Sequence, residues 1–351
     1  MKGARPGALR PPPPPRSPWQ LLYGAAHRWR RRYWARRAGR LPRPVISVGN
    51  LCFGGGGKTP LVAAVAAHLR DRGRRVAVLS RGYPSRGRGV RVVSVGEAPL
   101  LGPQRVGDEP VLLAGMLPGV AVVVAADRRR AGAHALLRLE PPPDVFLLDD
   151  GFAHLRLHRD LDLLAFPAAD PFAGGRLPPG GRLREPLAAA AHADAVILTG
   201  AREDDRGEEL AAALRPYGFN GPGFASRTVC GAARLTSGEP LAAGARVLAV
   251  AAIARPEAFF ADVRRAGFEI AAELALRDHH PYPPATRKRI AELFAASGAD
   301  AVLTTGKDRV KLQGNLDLPL AELPIHARPE ARFFAWLDRR LAEIDKPGDG
   351  G

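Results

Sequence analysis

Lys58 and Thr59 end a run of glycines in the stretch VISVGNLCFGGGGKTPLV, residues 45 to 62. Glycine lets the backbone curl until successive N–H groups converge on one anion, and Gly54, Gly55, Gly56 and Gly57 are the candidates for that task. A helix starting at this point adds its positive end, a lysine reaches the terminal phosphates, and a threonine hydroxyl holds Mg2+. These are the expected roles of Lys58 and Thr59. The strict spacing G-x-x-x-x-G-K-[ST] would put its first glycine at Cys52, so what remains, GGGGKT, is a shortened variant. A plain strand-to-helix turn is the alternative. Against it stands VFLLDDG, which closes an apolar run with Asp149 and Asp150, the residue type that holds a nucleotide's metal at a neighbouring strand end. An Asp after a strand is often only a cap; the two motifs together point to a Mg-nucleotide site.

Such a site needs rigid elements. From residue 44, short β-branched runs (PVISVGN, VAVLSRG, GVAVVVAAD, PDVFLLDDG, LDLLAF, ADAVILTG) alternate with longer amphipathic stretches such as TPLVAAVAAHLRDRG. This pattern predicts buried parallel strands with crossover helices: an α/β protein with a P-loop-type, doubly wound, mostly parallel sheet and ligands at the strands' carboxyl ends. A polar, turn-rich stretch near residues 218 to 242 marks a boundary. Residues 41–225 then form a kinase-like domain with the phosphate loop, and 226–345 a smaller C-terminal α/β domain. Residues 1–18 are a Pro-rich lead-in expected to be disordered. Residues 19–40 form an amphipathic helix with Trp19, Leu22, Ala26, Trp29 and Tyr33 in one stripe, flanked by Arg28, Arg30, Arg31, Arg32, Arg36 and Arg37. Aromatics beside a cationic face suit a membrane interface; docking on the protein's own core with a solvated Arg face is the alternative.

Composition narrows the classes. A chain of 351 residues that is 46% hydrophobic and 25% charged is a globular one. Its net charge of +17 suits nucleic acid, anionic lipid or a phosphorylated substrate, although an Arg-rich chain that is also rich in Ala, Gly and Pro owes part of this to composition. Two cysteines make no disulfide framework and favour a reducing compartment. No apolar run reaches transmembrane length, and the opening MKGARPGALRPPPPPR lacks the apolar core of a signal peptide.

Further polar clusters complete a pattern: SRGY at 80–83, GDEP at 107–110, DGFAH at 150–154, PPGGRLREP, DHHPY and TTGKD, in that order after VGNLCFGGGGKTP. In this set, spanning roughly residues 44 to 310, the chain resembles the tetraacyldisaccharide 4'-kinase (lipid A 4'-kinase) family. The resemblance implies transfer of the γ-phosphoryl group of ATP, with Mg2+, to the 4'-hydroxyl of an acylated glucosamine disaccharide 1-phosphate. It also implies a place on the cytoplasmic, anionic face of the inner membrane of a Gram-negative-type bacterium, with no nucleic acid involved. On it, Asp108 accepts the hydroxyl proton and pairs with His279; without it, Asp108 and Glu109 read as a helix start and DHHPY as a surface turn. Asp149 and Asp150 take the metal side, with Asp150 also able to cap the turn into GFAH, and Glu109 assists metal or substrate. Arg182 and Arg128 are candidates to neutralise phosphate charge. Nucleotide and sugar are expected to meet in a cleft between the two units. Two positions depart from the family pattern: Ala153 stands in place of the usual Gln of DGFQH, and Gly306 in place of the Glu of TTEKD. A partition- or pump-type ATPase shares the GGxGKT loop but carries a lysine where this chain has Phe53, and a non-enzymatic, charge-driven binder leaves the phosphate loop and LLDD unexplained.

Overall fold

The β-branched runs become strands because alternate and consecutive apolar side chains alike find cover on both faces of one sheet. In the computed structural model, which describes residues 9–12, 17–54, 56–82, 89–201 and 206–346, the first eight strands are β1 (Val45–Gly49), β2 (Val76–Ser80), β3 (Arg91–Val95), β4 (Ala121–Val124), β5 (Val145–Asp149), β6 (Leu161–Pro167), β7 (Ala195–Thr199) and β8 (Gly223–Cys230). A second set follows: β9 (Arg234–Leu235), β10 (Arg246–Ala251), β11 (Glu269–Ala275), β12 (Ala301–Thr304) and β13 (Leu320–Glu322). Finally β14 (Ile325–Pro329) returns to the first. The large sheet has nine strands in the order β14-β8-β7-β6-β1-β5-β2-β4-β3, and the small one five, in the order β11-β10-β12-β13-β9. Within the large sheet only β3 and β14 pair antiparallel. The mostly parallel α/β architecture is the one expected. Gly55 and Tyr83, and most of the Pro-rich lead-in, lie outside the described residues.

Ten α-helices appear among the described residues: α1 (Pro18–Ala35), α2 (Lys58–Asp71), α3 (Pro103–Val106), α4 (Asp108–Met116), α5 (Arg128–Arg138), α6 (Arg206–Leu214), α7 (Pro256–Arg265), α8 (Pro284–Ser297), α9 (Gly306–Leu312) and α10 (Ala331–Ile344). Leu61, Val62 and Val65 of α2 and Phe333 and Leu337 of α10 share one apolar core with Ile46, Val48 and Val78 of the sheet. The last two elements therefore belong to the large sheet, and a division at 225/226 with everything beyond in the smaller unit does not describe the fold. β14 pairs with β8 in register Ile325↔Cys230. The small sheet is an insertion between these two strands.

Helix α1 buries Gly24, His27 and Arg31, while Trp19, Leu22, Trp29 and Tyr33 stay exposed. It docks on the protein by the face opposite its aromatic stripe, and the stripe itself is left exposed.

Candidate active site

Sheet order brings the two main motifs together. β5 lies beside β1 with Val48 opposite Asp149, so the loop after β1 and the acidic pair after β5 open at the same edge. Gly49 packs so closely on Phe152 that a Cβ there would come within 2.4 Å of the Phe152 Cβ, which fixes the loop's departure. Gly57, at φ 69°, caps α2, and the Gly56 carbonyl accepts a 2.9 Å hydrogen bond from Thr199 Oγ1 at the end of β7. Lys58 is the first residue of α2. Its Nζ donates to Asn50 Oδ1 at 2.9 Å and lies 3.2 Å from Asp150 Oδ1. Thr59 is buried beside it.

Asp149 is almost fully buried and accepts a 3.0 Å hydrogen bond from Ser80 Oγ at the end of β2. Burial, aided by the charges of Glu109 and Asp150, pushes its carboxyl up to about 6. Asp150, at φ 52°, behaves oppositely. Burial alone would raise it, but two hydrogen bonds from Arg184, each 2.9 Å, and the Lys58 ammonium hold it well below the usual carboxylate range. Arg128 begins α5, is buried, and senses both aspartates; burial depresses its pKa against their pull. Arg182 is exposed and pairs with Asp170, and its carbonyl accepts from the Phe53 N–H of the phosphate loop at 2.9 Å.

Across the opening, Asp108 and Glu109 form the first turn of α4. His279, held at φ 58° in the loop after β11, places Nδ1 3.6 Å from Asp108 Oδ2. Burial works to raise the Asp108 carboxyl, but His279 and Lys311 outweigh it and keep it below its ordinary value, while the same contact raises the imidazole. His280 instead accepts the Tyr282 N–H through Nδ1 at 3.0 Å, so the first histidine of DHHPY is the one that meets the acid. Lys307 pairs with Glu109. A cleft of about 440 Å³ runs between these groups, lined by Gly54, Gly57, Lys58, Glu109 and, from the small-sheet side, His279 and Lys307.

The structure thus lines one cleft with Lys58, Thr59, Glu109 and His279, sets Asp150 against Lys58, Asp108 against His279 and Asp149 within the field of Glu109, and leaves the Arg182 side chain on the surface. Sequence reasoning passed over Arg184, Asn50 and Lys311. The first two stand inside quoted motifs, LREP and VGN; Lys311 follows Lys307 at i+4, the helical spacing that could have marked it. At the departure Gly306, a Cβ would fall 2.6 Å from Glu322 Oε1 and 2.7 Å from Leu112 Cδ1, so a carboxylate from β13 and a leucine from α4 occupy the space of a side chain there. At the other, Ala153 gives its carbonyl to Arg30 of α1 at 2.9 Å.

A glycine loop entering a helix, an acidic pair on the adjacent strand and a mostly parallel sheet define a P-loop nucleotide-binding protein of the phosphotransferase type. The chain belongs to the tetraacyldisaccharide 4'-kinase family: the family model described as tetraacyldisaccharide-1-P 4'-kinase matches residues 16–342. A tetraacyldisaccharide 4'-kinase of Geobacter sulfurreducens is 45% identical over 332 residues, 91% of each chain, and one of an Anaeromyxobacter species is 45% identical over 277 residues, 77% of this chain and 73% of the relative. The crystal structure of LpxK from Aquifex aeolicus in complex with ATP aligns with a TM-score of 0.74 at 30% identity, covering 92% of this chain and 98% of that one.

Proposed function

We propose that this chain is a lipid A 4'-kinase that moves the γ-phosphoryl group of ATP to the 4'-hydroxyl of a tetraacyldisaccharide 1-phosphate. The observation that carries the reading is the cleft in which His279, 3.6 Å from Asp108, faces Lys58 and the glycine loop. The hydroxyl oxygen forms a bond to the γ-phosphorus, the bond to the β–γ bridging oxygen breaks, and ADP leaves. The hydroxyl proton passes to Asp108, with His279 holding the carboxylate and sharing the proton. Lys58 and the loop N–H groups take up phosphate charge, and Arg128 and Arg184 hold the acidic pair's field in balance.

Thr59, Asp149, Asp150 and Glu109 fit Mg2+. The elevated Asp149 carboxyl, crowded by Glu109 and Asp150, marks negative charge that a cation would relieve. Bound there, Mg2+ would neutralise charge developing on the phosphates.

No helix among the described residues is long and apolar enough to cross a membrane. The exposed Trp19, Leu22, Trp29 and Tyr33, with Arg28 and Arg32 beside them, support peripheral seating of α1 on an anionic lipid surface at the inner membrane's cytoplasmic face. The test is phosphorylation of a lipid A disaccharide 1-phosphate precursor in detergent micelles with ATP and Mg2+. The intact protein is expected to make the bisphosphorylated product, and Lys58→Ala and Asp108→Ala to fall by about 100-fold or more while staying folded. ATP hydrolysis with the lipid untouched would keep the phosphate loop and overturn the acceptor.

A further inference from the structure

Asp108 has a second cationic neighbour besides His279. Lys311 of α9 places Nζ 3.3 Å from Asp108 Oδ2, 3.2 Å from Asp308 Oδ1 and 3.2 Å from the His280 carbonyl, to which it donates. Its side chain is only 9% exposed. Asp308 is fully buried and itself immobilised: its Oδ2 accepts from the Ala252 N–H at 2.9 Å and from Thr305 Oγ1 at 2.8 Å. His279, by contrast, is half exposed, and at 3.6 Å its contact with Asp108 is longer than a hydrogen bond. Of the two basic groups that meet Asp108, the lysine is the one fixed by its surroundings.

A buried ammonium needs a counter-charge. Asp308, one turn away on the same helix, already supplies it. The reach to Asp108 crosses from the small-sheet side to α4 of the large-sheet side and is not required for that purpose. It runs in parallel with the pair between Lys307 and Glu109, so two lysines at i and i+4 on α9 meet two consecutive acids at the start of α4. Both Lys311 and His279 contact the same oxygen, Oδ2.

We infer that Lys311 is a positioning residue for the phosphotransfer step: from α9 it clamps Asp108 at Oδ2 and so holds in place the carboxylate that takes the proton of the acceptor hydroxyl. This rests on Asp108 being the proton acceptor.

The experiment is a double-mutant cycle in the micellar assay with the full chain: Lys311→Met, Lys311→Arg, Asp108→Asn, and Lys311→Met with Asp108→Asn. Lys311→Met is expected to lower kcat about 10- to 100-fold with the KM for ATP within about threefold, and Lys311→Arg to recover part of the loss. In the Asp108→Asn background, Lys311→Met should cost less than about twofold more, since it acts through a group already disabled. Lys311→Met leaves Asp308 buried and unpaired, so the pair Lys311→Met with Asp308→Asn, which removes both charges, is measured beside it and should show the same kcat loss with a recovered melting temperature. Losses that multiply in the cycle, an intact kcat, or an effect confined to KM would overturn the positioning role while leaving Asp108 as the base. Full activity of Asp108→Asn would overturn the base assignment and the positioning role with it.

Discussion

Asp149 and Asp150 are neighbours in the chain with opposite proton affinities, and the cause is where their side chains end. Asp149 completes β5 and points into buried space shared with Glu109, so its carboxyl rises to about 6. Asp150, on a left-handed residue just beyond, turns to Arg184 and Lys58 and is held low. A carboxyl raised in the folded state binds its proton more readily folded than unfolded, so its ionisation costs stability. The cost begins above the unfolded value of about 4 and is complete above about 6. A cation bound there removes that cost. The melting temperature gained from Mg2+ over ATP alone should therefore be larger at pH 7.5 than at pH 5.5, and Asp149→Asn should abolish the difference. Thermal melts across that range measure it; an equal Mg2+ increment at both pH values would remove Asp149 from the metal side. The acidic pair was legible in the sequence because it closes an apolar run beside a phosphate loop. Which arginine serves it was not. Arg182 and Arg184 lie in one loop, and only the folded chain shows Asp170 taking the first and Asp150 the second.

Helix α1 shows the same limit at the level of an element. Its periodicity picked out the aromatic stripe, and that stripe is one face of the real helix. The face that docks reads in sequence as part of a solvated Arg surface, because what it buries is a charge cluster. Arg31 donates to Glu185 at 2.7 Å and stacks over Phe152 at 4.2 Å, and His27 lies 3.4 Å from the same carboxylate. Tyr23 and Arg30 add hydrogen bonds to the carbonyls of Arg184 and Ala153. The helix is thus braced on the two segments that carry Asp150 and Arg184. Glu185→Ala strands Arg31 in a buried site and should cost about 3–5 kcal/mol of stability, whereas Glu185→Leu with Arg31→Met should restore most of it. Burial works to raise the Glu185 carboxyl, but His27 and Arg31 outweigh it and hold it below its ordinary value. The stabilisation is then complete above about pH 4.3 and disappears as pH falls through the lower folded value. Denaturant titrations between about pH 3 and 6 should show a smaller acid loss in Glu185→Ala than in the intact protein, the remainder coming from other depressed carboxylates such as Asp150.

At the scale of the whole molecule, the small sheet enters and leaves through adjacent strands. β8 ends at Cys230, its pair on β14 is Ile325, and the Gly231 N–H donates to the Pro324 carbonyl at 2.8 Å. The turn-rich composition of residues 218 to 242 brackets the departure at Cys230, although a cut at 225/226 falls inside β8. The return could not be read, because an amphipathic helix such as α10 carries its apolar stripe in the sequence but not the identity of the surface it covers. Phe333, Leu337 and Leu341 cover the large sheet. Each such side chain contributes about 1.5–3 kcal/mol when buried, a large share of a typical domain's net stability. A chain ending at residue 323 should therefore fail to fold cooperatively. Excising residues 232–323 instead, and joining Gly231 to Pro324 through a short glycine-containing turn, leaves the β8–β14 pair and its helix intact. That protein should melt cooperatively by circular dichroism and yet transfer no phosphoryl group, since His279, Lys307 and Lys311 are gone. If the excised form is unfolded while the truncated one folds, the large sheet does not depend on its C-terminal strand and helix, and the insertion topology is not how stability is divided.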